Sequence, residues 1–342
     1  MNLIDFRSDT VTKPTKEMLD FMFQAEVGDD VYGEDLTVNA LEQFASEYFG
    51  KEAALFCVSG TQSNQIGLQL HLSPGGEVIC HSDSHIYRYE GGGIAKNSGA
   101  SVKLIEGNYG RLKVEQVKMA VNPDDIHLPL TQLVSLEDTA NKGGGAVYDF
   151  KDIIEISTFC KSMNLPLHLD GARMMNALAI NGIDPKEYAS HFDTISLCLS
   201  KGLGAPIGSL LIGSKEHIKK ARRIRKSMGG GMRQAGYIAA AGLYALKNNI
   251  SRLQEDHEKA YLLGESLKGL SWVKTIYPIQ TNIVIVELSN PSNQNNIIQL
   301  LKEKQILCNP FGPTAIRFVT HLDISFDQIQ VASDVLKSLR IG

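Results

Sequence analysis

Residues 165–170 read LPLHLD and residues 194–201 read TISLCLSK. Each is a short apolar run closing on a charged residue, Asp170 in the first and Lys201 in the second. Each charge opens a glycine-bearing turn, GAR at 171–173 and GLGAP at 202–206. Runs of this length with β-branched or leucine content predict buried strands. Working outward, further runs at 53–58 (AALFCV), 77–80 (EVIC), 101–105 (SVKLI), 132–136 (QLVSL) and 207–212 (IGSLLI) predict five more. Amphipathic stretches such as KDIIEISTFCKSM (151–163) separate several of them. Strand–helix alternation predicts an α/β fold, a mostly parallel seven-stranded sheet with helices on both faces. In such a sheet ligands bind beyond the carboxyl ends of the strands, so chemistry is sought in the residues just after each run.

Past 248–252 (NNISR) the pattern changes: a charged helix over 253–270, strands at 273–277 and 281–287, and a helix at 293–304. Strands near 306–308 and 315–319 follow, then a closing helix over 325–339. This is a smaller α+β unit. The expected organisation is an N-terminal arm (1–25) belonging to neither core, a large domain (26–250) and a small C-terminal domain (251–342). The length suits two domains, and a chain this long buries a core without disulfides or structural metals.

The net charge is −4, which argues against a dedicated nucleic-acid or polybasic membrane protein. Five cysteines (Cys57, Cys80, Cys160, Cys198, Cys308) are scattered, odd in number and never in a CxxC pair; free buried thiols in a reducing compartment account for them. No signal-peptide core and no run of ~18 apolar residues is present. The expectation is a soluble cytoplasmic protein.

Asp170 could hold a cationic ring nitrogen of a cofactor, or cap a helix or join a structural ion pair. Lys201, desolvated on its strand side, could form a Schiff base, or lie along the surface. Ser59-Gly60-Thr61 follows AALFCV and opens a helix, where backbone amides and a hydroxyl form a phosphate cradle; an ordinary Ser/Thr cap explains it equally. His81, Asp83 and His85 alternate along HSDSH (81–85), which suits a metal site, an imidazole stacked on a planar cofactor, or loop histidines. Residues 215–226 (KEHIKKARRIRK) read as a nucleic-acid patch or as a solvated helix face. Taken together, cradle, aspartate and lysine are the parts a pyridoxal-phosphate site requires: a phosphate anchor, an anion for the pyridinium and an amine for the aldehyde.

At this point the sequence resembles the low-specificity L-threonine aldolases, of the β-eliminating-lyase branch of fold-type-I pyridoxal-phosphate enzymes. The resemblance is carried by FRSDTVTKPT (6–15), DDVYGEDLTVNALE (29–42), SGTQSNQ (59–65), HSDSHIYRYEGGG (81–93), SLEDT (135–139), HLDGARMMNA (168–177), SKGLGAPIGS (200–209), GGGMRQAG (229–236) and IRFVTH (316–321). It implies a large domain like that of aspartate aminotransferase. Lys201 would be the Schiff-base lysine and Asp170 the pyridinium partner. Gly60 and Thr61 would hold the phosphate, and His85 would stack on the ring. His85 and His127 are the candidates for proton transfer, with a bound water as the alternative. Ser8, Arg173 and Arg317 would grip the substrate carboxylate. The family assembles as homotetramers, dimers of dimers with sites at subunit interfaces, so Arg233 and Lys226 would reach a neighbouring cofactor. The implied reaction is cleavage of the Cα–Cβ bond of L-threonine or L-allo-threonine, releasing acetaldehyde and forming glycine. A phenylserine-type aldolase, a β-eliminating lyase or a racemase of the same fold is the alternative. Many bacterial relatives have histidine where this chain has Ala140.

Overall fold

The computed structural model describes residues 3–341. All seven strands expected for the large sheet are present: β1 (Ala53–Cys57), β2 (Glu77–His81), β3 (Ser101–Ile105), β4 (Thr131–Glu137), β5 (Leu167–Asp170), β6 (Thr194–Cys198) and β7 (Ser209–Gly213). They run in the order β1-β7-β6-β5-β4-β2-β3. Only β7 is antiparallel to its neighbours; the other pairings are parallel. Two boundaries shift for local reasons. β5 starts at Leu167 rather than 165 because Pro166 has no N–H to give a ladder; its carbonyl still accepts from Val134. β7 starts at Ser209 because Gly208 has φ +119°, which an L side chain rarely adopts and a strand does not use.

Helices cover both faces. The helix Gly60–His71 is tied to the sheet by a buried hydroxyl cluster, in which Ser63 Oγ lies 2.6 Å from Ser196 Oγ and 2.7 Å from Ser209 Oγ. Gly67 allows this approach, since a Cβ there would lie 2.7 Å from the His168 ring. Asp35 caps the helix Leu36–Tyr48 through Val38 N–H and also accepts from Gly236 N–H at 2.8 Å, joining the starts of two helices.

A second, four-stranded antiparallel sheet is built from Val273–Ile276, Ile283–Leu288, Asn309–Phe311 and Ala315–Val319. The single strand expected near 306–308 is two. Ile306–Leu307 pairs in parallel with Ile4–Asp5, and Asn309–Phe311 pairs with Ala315–Val319. The arm therefore does not stand apart from both cores. Ile4 and Phe6 belong to the apolar cluster of the C-terminal unit, whereas Met18 belongs to that of the large sheet. The helix Leu253–Leu267 likewise gives Leu253 to one cluster and Ala260, Leu263 and Leu267 to the other. Among the described residues no helix is long and apolar enough to cross a membrane.

Phe6 is fully buried and meets Phe318 edge-on, ring centroids 5.9 Å apart. Phe6→Ala should destabilise the protein by about 3–5 kcal/mol, the usual cost of an emptied aromatic site, read as a lowered urea midpoint. An unchanged midpoint would mean that the arm is not part of the C-terminal core.

Candidate active site

The carboxyl ends of the parallel strands converge on a cavity of 470 Å³ whose walls include Ser8, His85, Arg173, Lys201 and Arg317. Each arrives from a different segment. Lys201 follows β6 by three residues, Arg173 follows β5, His85 begins a short helical turn after β2, and Arg317 lies on the second sheet. Five of the residues singled out in the sequence thus meet at one place.

Asp170 ends β5, is buried, and has both carboxylate oxygens engaged: Ala172 N–H donates to Oδ1 at 3.2 Å and Asn64 Nδ2 donates to Oδ2 at 3.0 Å. The same Asn64 amide group donates to Glu90 at 2.9 Å. Glu90 in turn takes His85 Nδ1 at 2.9 Å and Gln65 Nε2 at 2.6 Å. His85, Glu90 and Asp170 form one acidic layer behind the cavity, its carboxylates bridged by an amide. Burial opposes protonation of His85, but the hydrogen bond to Glu90 and the charge of Asp170 outweigh it, and its pKa lies above the ordinary imidazole value. Asn64, Glu90 and Asp9 were not singled out in the sequence. Glu90 sits five residues past His85, and Asn64 one helical turn past Gly60; only this spacing hinted at a shared direction.

The cavity wall opposite carries positive charge. Arg173 is buried and holds Asp9 with two forked bonds, Nε at 2.7 Å and Nη2 at 2.6 Å. Burial works against the Asp9 charge, yet the Arg173 guanidinium holds its carboxyl well below the usual range. Much of the Arg173 fork is therefore engaged inside the protein, while the residue still lines the cavity. Arg317 pairs with no carboxylate among the described residues. Its Nη1 donates to Asn141 Oδ1 at 3.1 Å and its Nη2 to the Arg7 carbonyl at 3.2 Å. Its Nε is buried with no acceptor among the described residues, and burial followed by the nearby Arg173 charge lowers its pKa. Among the described residues it is the guanidinium of this wall without an ion pair.

Gly60 and Thr61 stand at the start of the helix capped by Ser59. Their amides have no acceptor among the described residues, and a Cβ on Gly60 would lie 2.5 Å from Cys198 Sγ. Thr61 faces a second cavity, shared with Ser59, Gln65 and Lys96.

Two expected site residues lie elsewhere in the chain. His127 is 82% exposed and bonded to Asp125. It precedes β4, whose seven residues run ~20 Å to Glu137 at the cavity edge, so within one chain it does not line the cavity. Arg233 is exposed and paired with Asp29 at 2.9 Å. The alternating His81-Asp83-His85 set does not converge: His81 Nδ1 accepts from Asp83 N–H at 3.0 Å and its Nε2 N–H lies 3.2 Å from the Gly107 carbonyl. His85, Glu90 and Asp170 do offer three ligand atoms within 4.8 Å of one another. In the basic run, Arg225 is buried on Asp30 and the Phe56 carbonyl, Arg222 pairs with Glu42, and Lys220 pairs with Glu216. Three of its seven cations are thus paired within the chain, which fits a solvated helix face.

Beside the site, Asp138 is buried, accepting from Tyr188 Oη at 2.6 Å and Tyr148 N–H at 3.2 Å. Burial raises its pKa from 3.8 to about 7. Since the folded state holds this proton more tightly than the unfolded chain, stability is fully present below the unfolded value and is lost as pH rises through 7. Asp138→Asn should flatten the fall in Tm between about pH 4 and pH 8, where the unfolded and folded proton affinities differ. An unaltered pH slope in the variant would exclude Asp138 as its source.

The family described as β-eliminating lyase matches residues 5–291. The low-specificity L-threonine aldolase of Escherichia coli K12 is 44% identical over 96% of this chain and 96% of its own. A probable low-specificity L-threonine aldolase 2 of Arabidopsis thaliana is 40% identical over 94% and 93%. A solved threonine aldolase of Leishmania major superposes with a TM-score of 0.85 at 23% identity, covering 98% of both chains, a likeness that carries the fold alone. This chain belongs to the β-eliminating lyase family, on its threonine-aldolase branch.

Proposed function

We propose that the protein is a pyridoxal-phosphate-dependent lyase that cleaves L-threonine and L-allo-threonine between Cα and Cβ to glycine and acetaldehyde. The observation that carries this reading is the pairing of Lys201, without a partner of its own among the described residues, with the unneutralised Arg317 in one cavity. An amine for a carbonyl and a guanidinium for a carboxylate are what an amino-acid enzyme of this kind needs. The residues fit the cofactor. Two unpaired amides at a helix start suit a phosphate, and Gly60 lets that start sit against β6, where a Cβ would lie 2.5 Å from Cys198 Sγ. Asp170, both of whose oxygens are already oriented, suits a pyridinium.

Pyridoxal phosphate, when bound, supplies a sink for the electron pair left on Cα. The chain does the rest. Lys201 Nζ is the amine that would hold the cofactor's aldehyde in this cavity. Arg317, with Ser8 and the remaining Nη1 of Arg173, would fix the substrate carboxylate and thereby the orientation of the substrate at Cα. Asp170 is the carboxylate that would hold the cofactor's ring nitrogen protonated and so stabilise developing charge. His85 Nε2, its ring steered by Glu90, takes the β-hydroxyl proton. Five buried unpaired cysteines support a reducing, cytoplasmic setting. Support for an assembly of four chains comes from the apolar residues around His127, where Ile126 is 98% exposed and Met119 and Leu130 are also uncovered; in it His127 and Arg233 would serve neighbouring sites.

Lys201→Ala should abolish acetaldehyde release and the borohydride-sensitive Schiff-base absorption band, and near-full activity in that variant would overturn the mechanism. Arg317→Ala should raise KM for threonine by roughly 10- to 100-fold, as expected for a lost charged hydrogen bond. Glu90→Gln should let the His85 proton go more easily, moving the acid limb of kcat to lower pH. A limb that stays put would assign the base elsewhere.

A further inference from the structure

Lys142 is the remaining cation of the cavity wall. It has no carboxylate and no hydrogen-bond acceptor among the described residues; its Nζ instead lies 4.3 Å from the Phe311 ring centroid and 5.7 Å from that of Tyr89. The loop that carries it is built rather than loose. Ala140 and Ala146 bridge, Gly143 N–H and Gly145 N–H donate to the Ala140 carbonyl, and Gly144 N–H donates to that of Asn141. A Cβ at Gly143 would collide with the Tyr109 carbonyl, so the loop is pressed against its support. Asn141, the preceding residue, is the one that holds Arg317. One short loop therefore sets the distance between two cations, both open to the same cavity and neither matched by an anion.

A single substrate carboxylate satisfies one of them. Threonine carries no second carboxylate and so offers Lys142, a half-buried ammonium resting on two aromatic faces, no anion. Resting on the aldolase reading above, we propose that Lys142 forms a second anion subsite, and that the enzyme also cleaves β-hydroxy-α-amino acids with a carboxylate on Cβ, of which 3-hydroxyaspartate is the smallest. The bond changes are those of the threonine reaction. The β-hydroxyl loses its proton to the base, the Cα–Cβ bond breaks, its electron pair stays on Cα, and a proton returns there. The products are glycine and glyoxylate, with no oxidant or reductant consumed. Arg317 takes the α-carboxylate and Lys142 the β-carboxylate, so the substrate is held at both ends across the bond that breaks.

The test compares the holoenzyme on L-threonine, read as acetaldehyde, with the erythro and threo isomers of L-3-hydroxyaspartate, read as glyoxylate. Lys142→Met keeps the stem on Phe311 and removes the charge; Lys142→Arg restores charge. The wild type should release glyoxylate from at least one isomer. Lys142→Met should lower kcat/KM for that isomer roughly 10- to 100-fold while changing threonine by no more than about three-fold, the loss expected of a charge-assisted contact. Lys142→Arg should recover most of the difference. Acetaldehyde from threonine with no glyoxylate from either isomer overturns the second subsite and leaves the aldolase reading intact. Equal loss on both substrates in Lys142→Met also overturns it. No release from any substrate by the wild type overturns the aldolase reading itself, and the subsite with it.

Discussion

Asp9 is a fully buried carboxylate that joins three separate stretches of chain. It lies in the N-terminal arm, receives both forks of Arg173 at the end of β5, and accepts Asn282 Nδ2 at 3.3 Å from the start of a strand in the second sheet. Removing a carboxylate and a guanidinium from water costs several kcal/mol per ion even after relaxation, and only near-ideal geometry with further hydrogen bonds offsets it. The pair has such geometry. Deleting either partner would leave a buried charge uncompensated, a loss of about 3–5 kcal/mol. The arm, the large sheet and the C-terminal unit thus meet at one electrostatic contact, and the cavity lies between the parts it joins. Thr12 adds a second tie in the same place, bonding to His321 at 3.0 Å.

That contact also divides the charge of the site. Arg173 is cancelled by Asp9, so the guanidinium left to attract a substrate anion is Arg317. Behind the cavity three carboxyl groups, Glu90, Glu137 and Asp170, stand close together. Asn64 separates two of them with a shared amide. Glu137 is raised to a pKa of about 7, by its own burial first and by the Asp170 charge second. Its oxygens are nonetheless occupied by the Asn141 and His85 backbone amides at 2.9 and 2.7 Å. Glu137 therefore acts on both walls, fixing the start of the His85 turn and the loop that holds Arg317.

Asp170 and Lys201 were legible in the sequence because their placement is covalent: each sits at the end of a run that can hardly be anything but a buried strand. The seven-strand sheet was legible for the same reason; its larger boundary errors fall at Pro166 and Gly208, where backbone chemistry overrides side-chain pattern, and the others are of one residue. Asp9, Glu90 and Asn64 were not, since nothing local distinguishes a carboxylate that will be buried on an arginine 164 residues away from one facing water. The division of 306–311 into two strands was hidden likewise. Its first half is specified by the arm more than three hundred residues earlier, a pairing no local window contains.

His127 is suited to proton transfer by type, yet in its own chain it lies exposed and away from the cavity. The other histidines narrow the question further. His71, His168 and His257 are driven by burial to pKa values of about 3, 4 and 4, so they stay neutral, and each has a ring nitrogen engaged by Thr194 or Asn176. His81 and His321 have both nitrogens bonded inside the fold. His191 and His217 lie around a different cavity, with Lys51 and Asp193. Ala140 brings no imidazole at all. That leaves His85 as the histidine of this chain that lines the catalytic cavity, and its ring is held by a carboxylate that raises its basicity. A base of this kind is most effective when its proton affinity lies near the working pH. The acidic layer behind the cavity therefore serves two ends at once: Asp170 for the cofactor ring, and Glu90 for the imidazole, joined through one amide of Asn64.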